Sequence, residues 1–245
     1  MASHSLLKTS PTTTFTYDFY GSKPTDPIYQ GDAHFPTDTT YLRLTKTDSS
    51  GSPVQSSFGR ILHPEPVLLW KPSEQANFNT TVKFVLKPRA GNNIPADGLV
   101  FFMVPVDYTF PSYTHGGNLG IFGGPDGPKV FAVEFDIFVN GEWDPNFPHV
   151  GINIETRASQ KVAQIPESFI GKEVTLKITY AAATGLISAF VTAGPQTVEV
   201  SHVCDLSGVL PQQVQVGLAG STGEYVAKHD VAYWEFNSAL VKNGA

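Results

Sequence analysis

The chain has one cysteine, Cys204, so no disulfide can close within it. The neighbours of Cys204, His202 and Asp205, offer no basic cluster that would activate a thiolate, and the side chain is expected to pack. Positive charge is also scarce. Sixteen Lys and Arg stand against 22 Asp and Glu, a formal net charge of −6. That balance argues against nucleic acid and against anionic membrane surfaces as partners. Long apolar runs are missing. The longest, Leu99 to Pro105, is far short of the roughly 20 residues that cross a bilayer. The opening stretch MASHSLLKTSPTTT has only Leu6-Leu7 where a secretory signal would carry an apolar segment. No run carries a convincing helical period. There is no repeat, no low-complexity segment and no linker.

What is present is strand-like. Apolar residues make up 41% of the 245, and 17 Phe with 22 Gly and 19 Pro favour short strands punctuated by turns. Phe15, Tyr17 and Phe19 alternate, as do Val82, Phe84 and Leu86, and Val174, Leu176, Ile178 and Tyr180. Shorter runs at Tyr41–Leu44, Pro66–Trp70, Leu186–Val191, Val198–Val203, Val214–Ala219 and Val231–Phe236 add to these. Leu99–Val104 is apolar throughout and reads as a strand covered on both faces. Many short strands with regular turns predict an all-β sandwich. A single domain over 1–245, with its core between about 15 and 240, is the economical organisation.

The most informative stretch is Lys129–Ser159, KVFAVEFDIFVNGEWDPNFPHVGINIETRAS. Val133, Phe135 and Ile137 would point to one face of a strand, and Glu134, Asp136 and Phe138 to the other. Asn140 follows at the same parity, Trp143-Asp144-Pro145 breaks the strand, and His149 opens the next. Oxygen donors alone suit calcium; carboxylates with one imidazole suit a transition metal such as manganese. Asp136 and Asp144 could bridge two neighbouring ions. A solvated acidic loop with an exposed His149 is the competing reading.

The pattern VAVEFD-x-F-x-N…WDP…PH-x-GI resembles the metal-binding segment of the legume lectin family. Tyr29–Ala33, Phe58-Gly59-Arg60, Ala96–Leu99, Gly116–Phe122 and His229–Trp234 look like further signatures of that family, in its order. The resemblance implies a jelly-roll sandwich that binds sugar without catalysis. It implies Mn2+, or another transition ion, on Glu134, Asp136, Asp144 and His149, with Ser159 holding a metal-bound water. It implies Ca2+ on Asp136, the Phe138 carbonyl, Asn140 and Asp144. For the sugar it implies Asp97 as acceptor after a cis Ala96-Asp97 bond, the Gly117 amide, the Asn140 amide, a stacking Phe138 ring, and backbone groups of Glu224 and Tyr225. Two positions depart from the family's habit: Asn153 stands for Asp, and Val139 for Tyr.

The short loop from Ser221 to His229 resembles that of mannose- and glucose-binding members. Glycans and glycoproteins bearing those sugars are therefore the expected partners, with a galactose-type site as the alternative. A homodimer or homotetramer is expected. The resemblance also favours secretion or vacuolar storage as a mature chain, with a cytosolic location if Met1 is native. A storage or defence protein with lost binding is opposed by the intact Asp97, Gly117, Phe138, Asn140 set. A β-glucanase is opposed by Phe138, Val139 and Asn140, which stand where its second glutamate would have to be. Asn79-Thr80-Thr81 is a glycosylation sequon within a strand-like run.

Overall fold

A computed structural model describes residues 12–91, 94–123 and 126–242; the reading of residues 1–11 falls outside them. Sixteen strands account for most of the described chain. They are β1 (Thr12–Asp18), β2 (Ile28–Gly31), β3 (Leu42–Arg43), β4 (Phe58–Leu62), β5 (Val67–Leu68) and β6 (Trp70–Lys71). The long β7 (Glu74–Pro88) is followed by β8 (Gly98–Pro105), β9 (Asp126–Asp136), β10 (His149–Thr156) and β11 (Lys161–Gln164). β12 (Glu173–Ala181), β13 (Leu186–Ala193), β14 (Gln196–Val203), β15 (Gln213–Ser221) and β16 (Ala227–Lys242) complete them. Among the described residues, helix is confined to three single 3-10 turns, as the punctuated sequence predicts.

The strands form two antiparallel sheets. One runs β1-β16-β7-β12-β13-β14; the other runs β11-β10-β9-β8-β15-β4-β2. Alternation decides which side chains enter the space between them. β12 reads exposed, buried, intermediate and buried in turn, with Val174, Leu176, Ile178 and Tyr180 inward. The predicted strand over Pro66–Trp70 is instead two short pieces that serve different sheets. Val67–Leu68 pairs with β15, and Trp70–Lys71 pairs with β7. β2, β4 and β11 lie outside the runs that alternation picks out, because each is only four or five residues long.

β8 is covered on both faces, as its unbroken apolar run requires. Leu99, Phe101 and Met103 enter the main core between the sheets. Val100, Phe102 and Val104 point the other way, into a second core with Leu119, Ile121, Phe122 and Ala132. That second core lies beneath the loop of Gly116–Phe122, and so anchors the ground on which the site is built. Cys204 is partly buried against the main core, and burial pushes its thiol up, consistent with packing. Asn79 lies within β7, where its Oδ1 accepts from Asn237 Nδ2 at 3.4 Å.

Two buried polar groups brace the start of β16. Arg43 is 1% exposed and grips Asp230 with two hydrogen bonds, 2.6 Å from Nε and 2.9 Å from Nη2. Next to Asp230, His229 is wholly buried, its Nδ1 within 3.0 Å of Thr45 Oγ1 and 3.1 Å of the Ala227 carbonyl. Burial, reinforced by the Arg43 charge, pushes the His229 imidazole down to about 4, although the Ala227 carbonyl opposes this.

This depressed value has a sign. The unfolded chain binds the proton near 6.5 and the folded chain only near 4, so stability is fully present above 6.5 and is lost as pH falls through 4. The contribution is about 3 kcal/mol. Denaturant titrations of metal-free protein at pH 7 and pH 4.5 should show a larger loss for wild type than for His229→Gln. An equal loss in both would mean that His229 does not set the acid response.

Candidate functional site

Strand register brings the acidic cluster together. Glu134 lies opposite Gly151 and Val100, and Asp136 lies opposite His149 and Gly98. Glu134, Asp136 and His149 therefore meet at one end of three neighbouring strands. They are each 1% exposed and offer ligand atoms within 4.8 Å of one another. Glycine at 151 makes room for this. A Cβ there would strike Ser159 Oγ and come within 2.8 Å of Glu134 Oε1. Ser159 Oγ donates to Glu134 Oε1 at 2.5 Å, and His149 Nε2 stands 3.1 Å from the same oxygen.

Phe138 and Asn140 are placed differently from the alternation argument. β9 ends at Asp136, so the pleat does not extend to them. The chain bends because the Phe138 N–H donates to Asp136 Oδ1 at 2.9 Å and the Ile137 N–H to the Asp97 carbonyl at 3.0 Å. A second turn follows. The Asn140 N–H donates to Asp144 Oδ2 at 2.8 Å, and the Asp144 N–H returns to the Asn140 carbonyl at 3.0 Å. Asp144 thus stands beside Asn140, outside the compact group of three.

The electrostatics are those of crowded acids. Burial, with Glu134 and Asp144 adding to it, holds Asp136 well above the usual carboxylate range. Burial raises Asp144 to about 6, against the opposing Asn140 N–H. Burial pulls His149 down, but its hydrogen bond to Glu134 and the nearby carboxylate charges outweigh this, and it ends above its ordinary value. No Lys or Arg ion-pairs with any of these carboxylates among the described residues. The donor set of carboxylates, an imidazole and a free amide oxygen fits hard and borderline divalent cations.

Beside the cluster opens a cavity of about 330 Å³ whose lining includes Asp97, Gly117, Phe138, Asn140, Glu224 and Tyr225. All six residues expected to meet sugar are thus brought to one cavity. The Ala96-Asp97 bond is cis. Asp97 is 2% exposed, and burial pushes it up to about 7 despite a hydrogen bond from the Gly223 N–H. Its Oδ2 and the Oδ1 of Asn140 are buried without a hydrogen-bond partner. Gly223 is the loop residue that touches Asp97; Glu224 is exposed, and the Tyr225 ring lies 5.3 Å from that of Phe138.

Several neighbouring loops hold this cavity in shape. Ser221 Oγ donates to the Gly116 carbonyl at 2.7 Å, and the Thr222 N–H to the Ser57 carbonyl at 2.8 Å. Arg60, sandwiched between the Phe58 and Phe110 rings, donates from Nε to the Gly120 carbonyl at 2.5 Å. Sequence reasoning gave no role to Tyr113, His115, Asn118, Trp143 and Arg157, which also line the cavity. Trp143 was legible only as part of a strand break, and nothing local marks Arg157. Asn153, the departure from Asp, donates to the Arg157 carbonyl at 2.9 Å and so supports that turn.

The family model for the legume lectin domain matches residues 12–244, and the chain belongs to the legume lectin family. Agglutinin-2 of Cladrastis kentukea is 40% identical, over 98% of this chain and 85% of that protein. The mannose/glucose-specific lectin of Centrolobium tomentosum is 36% identical, over 95% of this chain and 98% of that protein. Among solved structures, winged bean acidic lectin complexed with methyl α-D-galactose superposes with a TM-score of 0.85 at 32% identity, covering 95% of this chain and 100% of that one. The family is one of carbohydrate-binding proteins, and its fold is the two-sheet sandwich described above.

Gly117 gives the sharpest local test. A Cβ there would lie 2.5 Å from Asn140 Oδ1 and 2.7 Å from the Trp143 ring, so both must shift. Gly117→Ala should cost about 1–3 kcal/mol at this spot and displace Asn140. Calorimetry should show sugar affinity at least tenfold weaker, with the melting temperature lowered by about 2–10 °C and the fold retained. Undiminished affinity would mean that the close approach of Gly117 to Asn140 is irrelevant to binding.

Proposed function

We propose that this chain is a metal-dependent lectin that holds mannose or glucose non-covalently in the Asp97 cavity. The observation that carries it is the pair of buried, unpartnered acceptors, Asp97 Oδ2 and Asn140 Oδ1, beside the Glu134–Asp136–His149 cluster. Two unpartnered buried oxygens are costly unless a ligand satisfies them. Glu134, Asp136, Asp144 and His149 would hold Mn2+ or a similar ion. Asp136, the Phe138 carbonyl, Asn140 and Asp144 would hold Ca2+. The ions supply positive charge that keeps the crowded carboxylates ionised.

The chain's own residues do the recognising. Asp97, as a carboxylate, accepts from two sugar hydroxyls with one oxygen each, whereas an amide of its size offers a single acceptor oxygen and a weaker, uncharged bond. Gly117 lets backbone N–H approach, Asn140 donates its amide, and Phe138 covers the apolar face of the ring. Glu224 and Tyr225 supply backbone groups from the rim. A shallow site of this kind binds one ring weakly, so a homodimer or homotetramer presenting several sites to a glycoprotein belongs to the proposal.

The preference for mannose and glucose rests on the short connection Thr222–Val226 between β15 and β16 and on the Centrolobium relative's stated specificity. The galactoside in the winged bean complex supports the second reading, a galactose site on the same scaffold. Competition on one immobilised glycoprotein separates them. Methyl α-mannoside should inhibit at a concentration at least tenfold below that of galactose. Stronger inhibition by galactose would move the assignment to the second reading.

A further inference from the structure

Arg60 is a buried cation set back from the sugar cavity. It is 5% exposed, it does not line the Asp97 cavity, and among the described residues no carboxylate pairs with it. Burial pulls its guanidinium down to about 10, against the opposing Tyr108, so it stays charged at neutral pH. A charge held in a dry place without a counter-ion is costly, and only acceptors and rings packed around it offset the cost.

Two of its three acceptors belong to one loop. Nε donates to the Gly120 carbonyl at 2.5 Å and Nη2 to Thr114 Oγ1 at 3.2 Å, while Nη1 reaches Gln30 Oε1 at 3.4 Å. Thr114 and Gly120 also close on each other, the Gly120 N–H donating to the Thr114 carbonyl at 2.8 Å. One planar fork therefore grips both ends of the loop at its neck. It fixes rotation as well as position, because two donors of one rigid plane meet two separate acceptors. Gly117 stands midway between those ends and lines the cavity. The rings extend the grip. The guanidinium carbon lies 4.7 Å from the centre of the Phe58 ring and 4.0 Å from that of Phe110, and Phe58 meets the ring of His115 edge-on at 5.2 Å. His115 directly precedes Gly116-Gly117. Further along, Leu119 takes a left-handed backbone, φ 50°, which a leucine adopts only when its surroundings impose it.

We infer, on the basis of the lectin reading, that Arg60 is a positioning residue for the sugar. It sets the aim of the Gly117 N–H from outside the cavity. Arg60→Met keeps an apolar stem and removes every donor, so the Gly120 carbonyl and Thr114 hydroxyl lose their common anchor. Arg60→Lys keeps the charge but not the fork.

A double-mutant cycle with Gly117→Ala tests this, read as sugar affinity by calorimetry of the metal-loaded protein with methyl α-mannoside and methyl α-galactoside. Arg60→Met should weaken the bound sugar about tenfold, and Arg60→Lys should recover part of that loss. Adding Gly117→Ala to Arg60→Met should weaken it by less than about threefold more, because the amide is already misaimed. A merely structural role would lower the melting temperature and leave the two losses independent. Where Arg60→Met fails to fold, Thr114→Val, which removes one acceptor at the same neck, takes its place in the cycle under the same thresholds. A folded variant that binds within about threefold of wild type, or losses that multiply in full in the double variant, overturns the positioning role alone. Failure of the wild type to bind either sugar removes the lectin reading together with it.

Discussion

Crowding of acid groups in a dry place is the constraint on which the site depends. Glu134 and Asp136 on β9 and His149 on β10 bring ligand atoms within 4.8 Å of one another, each residue almost without solvent. Two carboxylates at such a distance repel by about 3 kcal/mol at the effective dielectric of buried sites. No cationic side chain pairs with them among the described residues. Burial, with the neighbouring carboxylate charges adding to it, raises Asp136 and Asp144, so protons offer one relief. Divalent cations relieve it better, and they would leave every carboxylate ionised.

The same cluster governs the shape of the cavity next to it. Asp136 Oδ1 turns the chain at Phe138, and Asp144 Oδ2 turns it again at Asn140. Asp97 is placed by hydrogen bonds of its own backbone, its N–H to the Ser221 carbonyl at 3.0 Å and its carbonyl from the Ile137 N–H. Groups that would hold ions therefore also aim the groups that would hold sugar. Beneath them the second core fixes the Gly116–Phe122 loop, and Arg60 ties that loop to β4.

Much of this was legible in the residues. The period-2 pattern of β12 and the unbroken run of β8 declare their burial because side chains alternate or do not. The shared face of Glu134 and Asp136 follows from the same rule. What pattern could not supply was anything set by register between distant strands or by a turn. Phe138 and Asn140 hold the expected places through side-chain-capped bends, not through the pleat. Arg43 and Asp230, 187 residues apart, form a buried pair that no local spacing suggests. Arg157 meets Trp143 only because the turn after β10, held by Asn153, brings its guanidinium over the Trp143 ring. Such contacts are made by the fold as a whole, so a single sequence carries no period or spacing that marks them.

The central claim is that divalent cations in the acidic cluster hold the sugar-binding loops in place while the sandwich stands without them. Chelation followed by measured return of Ca2+ and Mn2+ tests it most directly, with calorimetry for sugar and far-ultraviolet circular dichroism for the sheets read on the same sample. The account predicts that chelation lowers sugar affinity at least tenfold, leaves the strand signal intact, and is reversed when the ions return. Metal-free protein that binds sugar within threefold of the metal-loaded form, or that loses its strand signal on chelation, would contradict it.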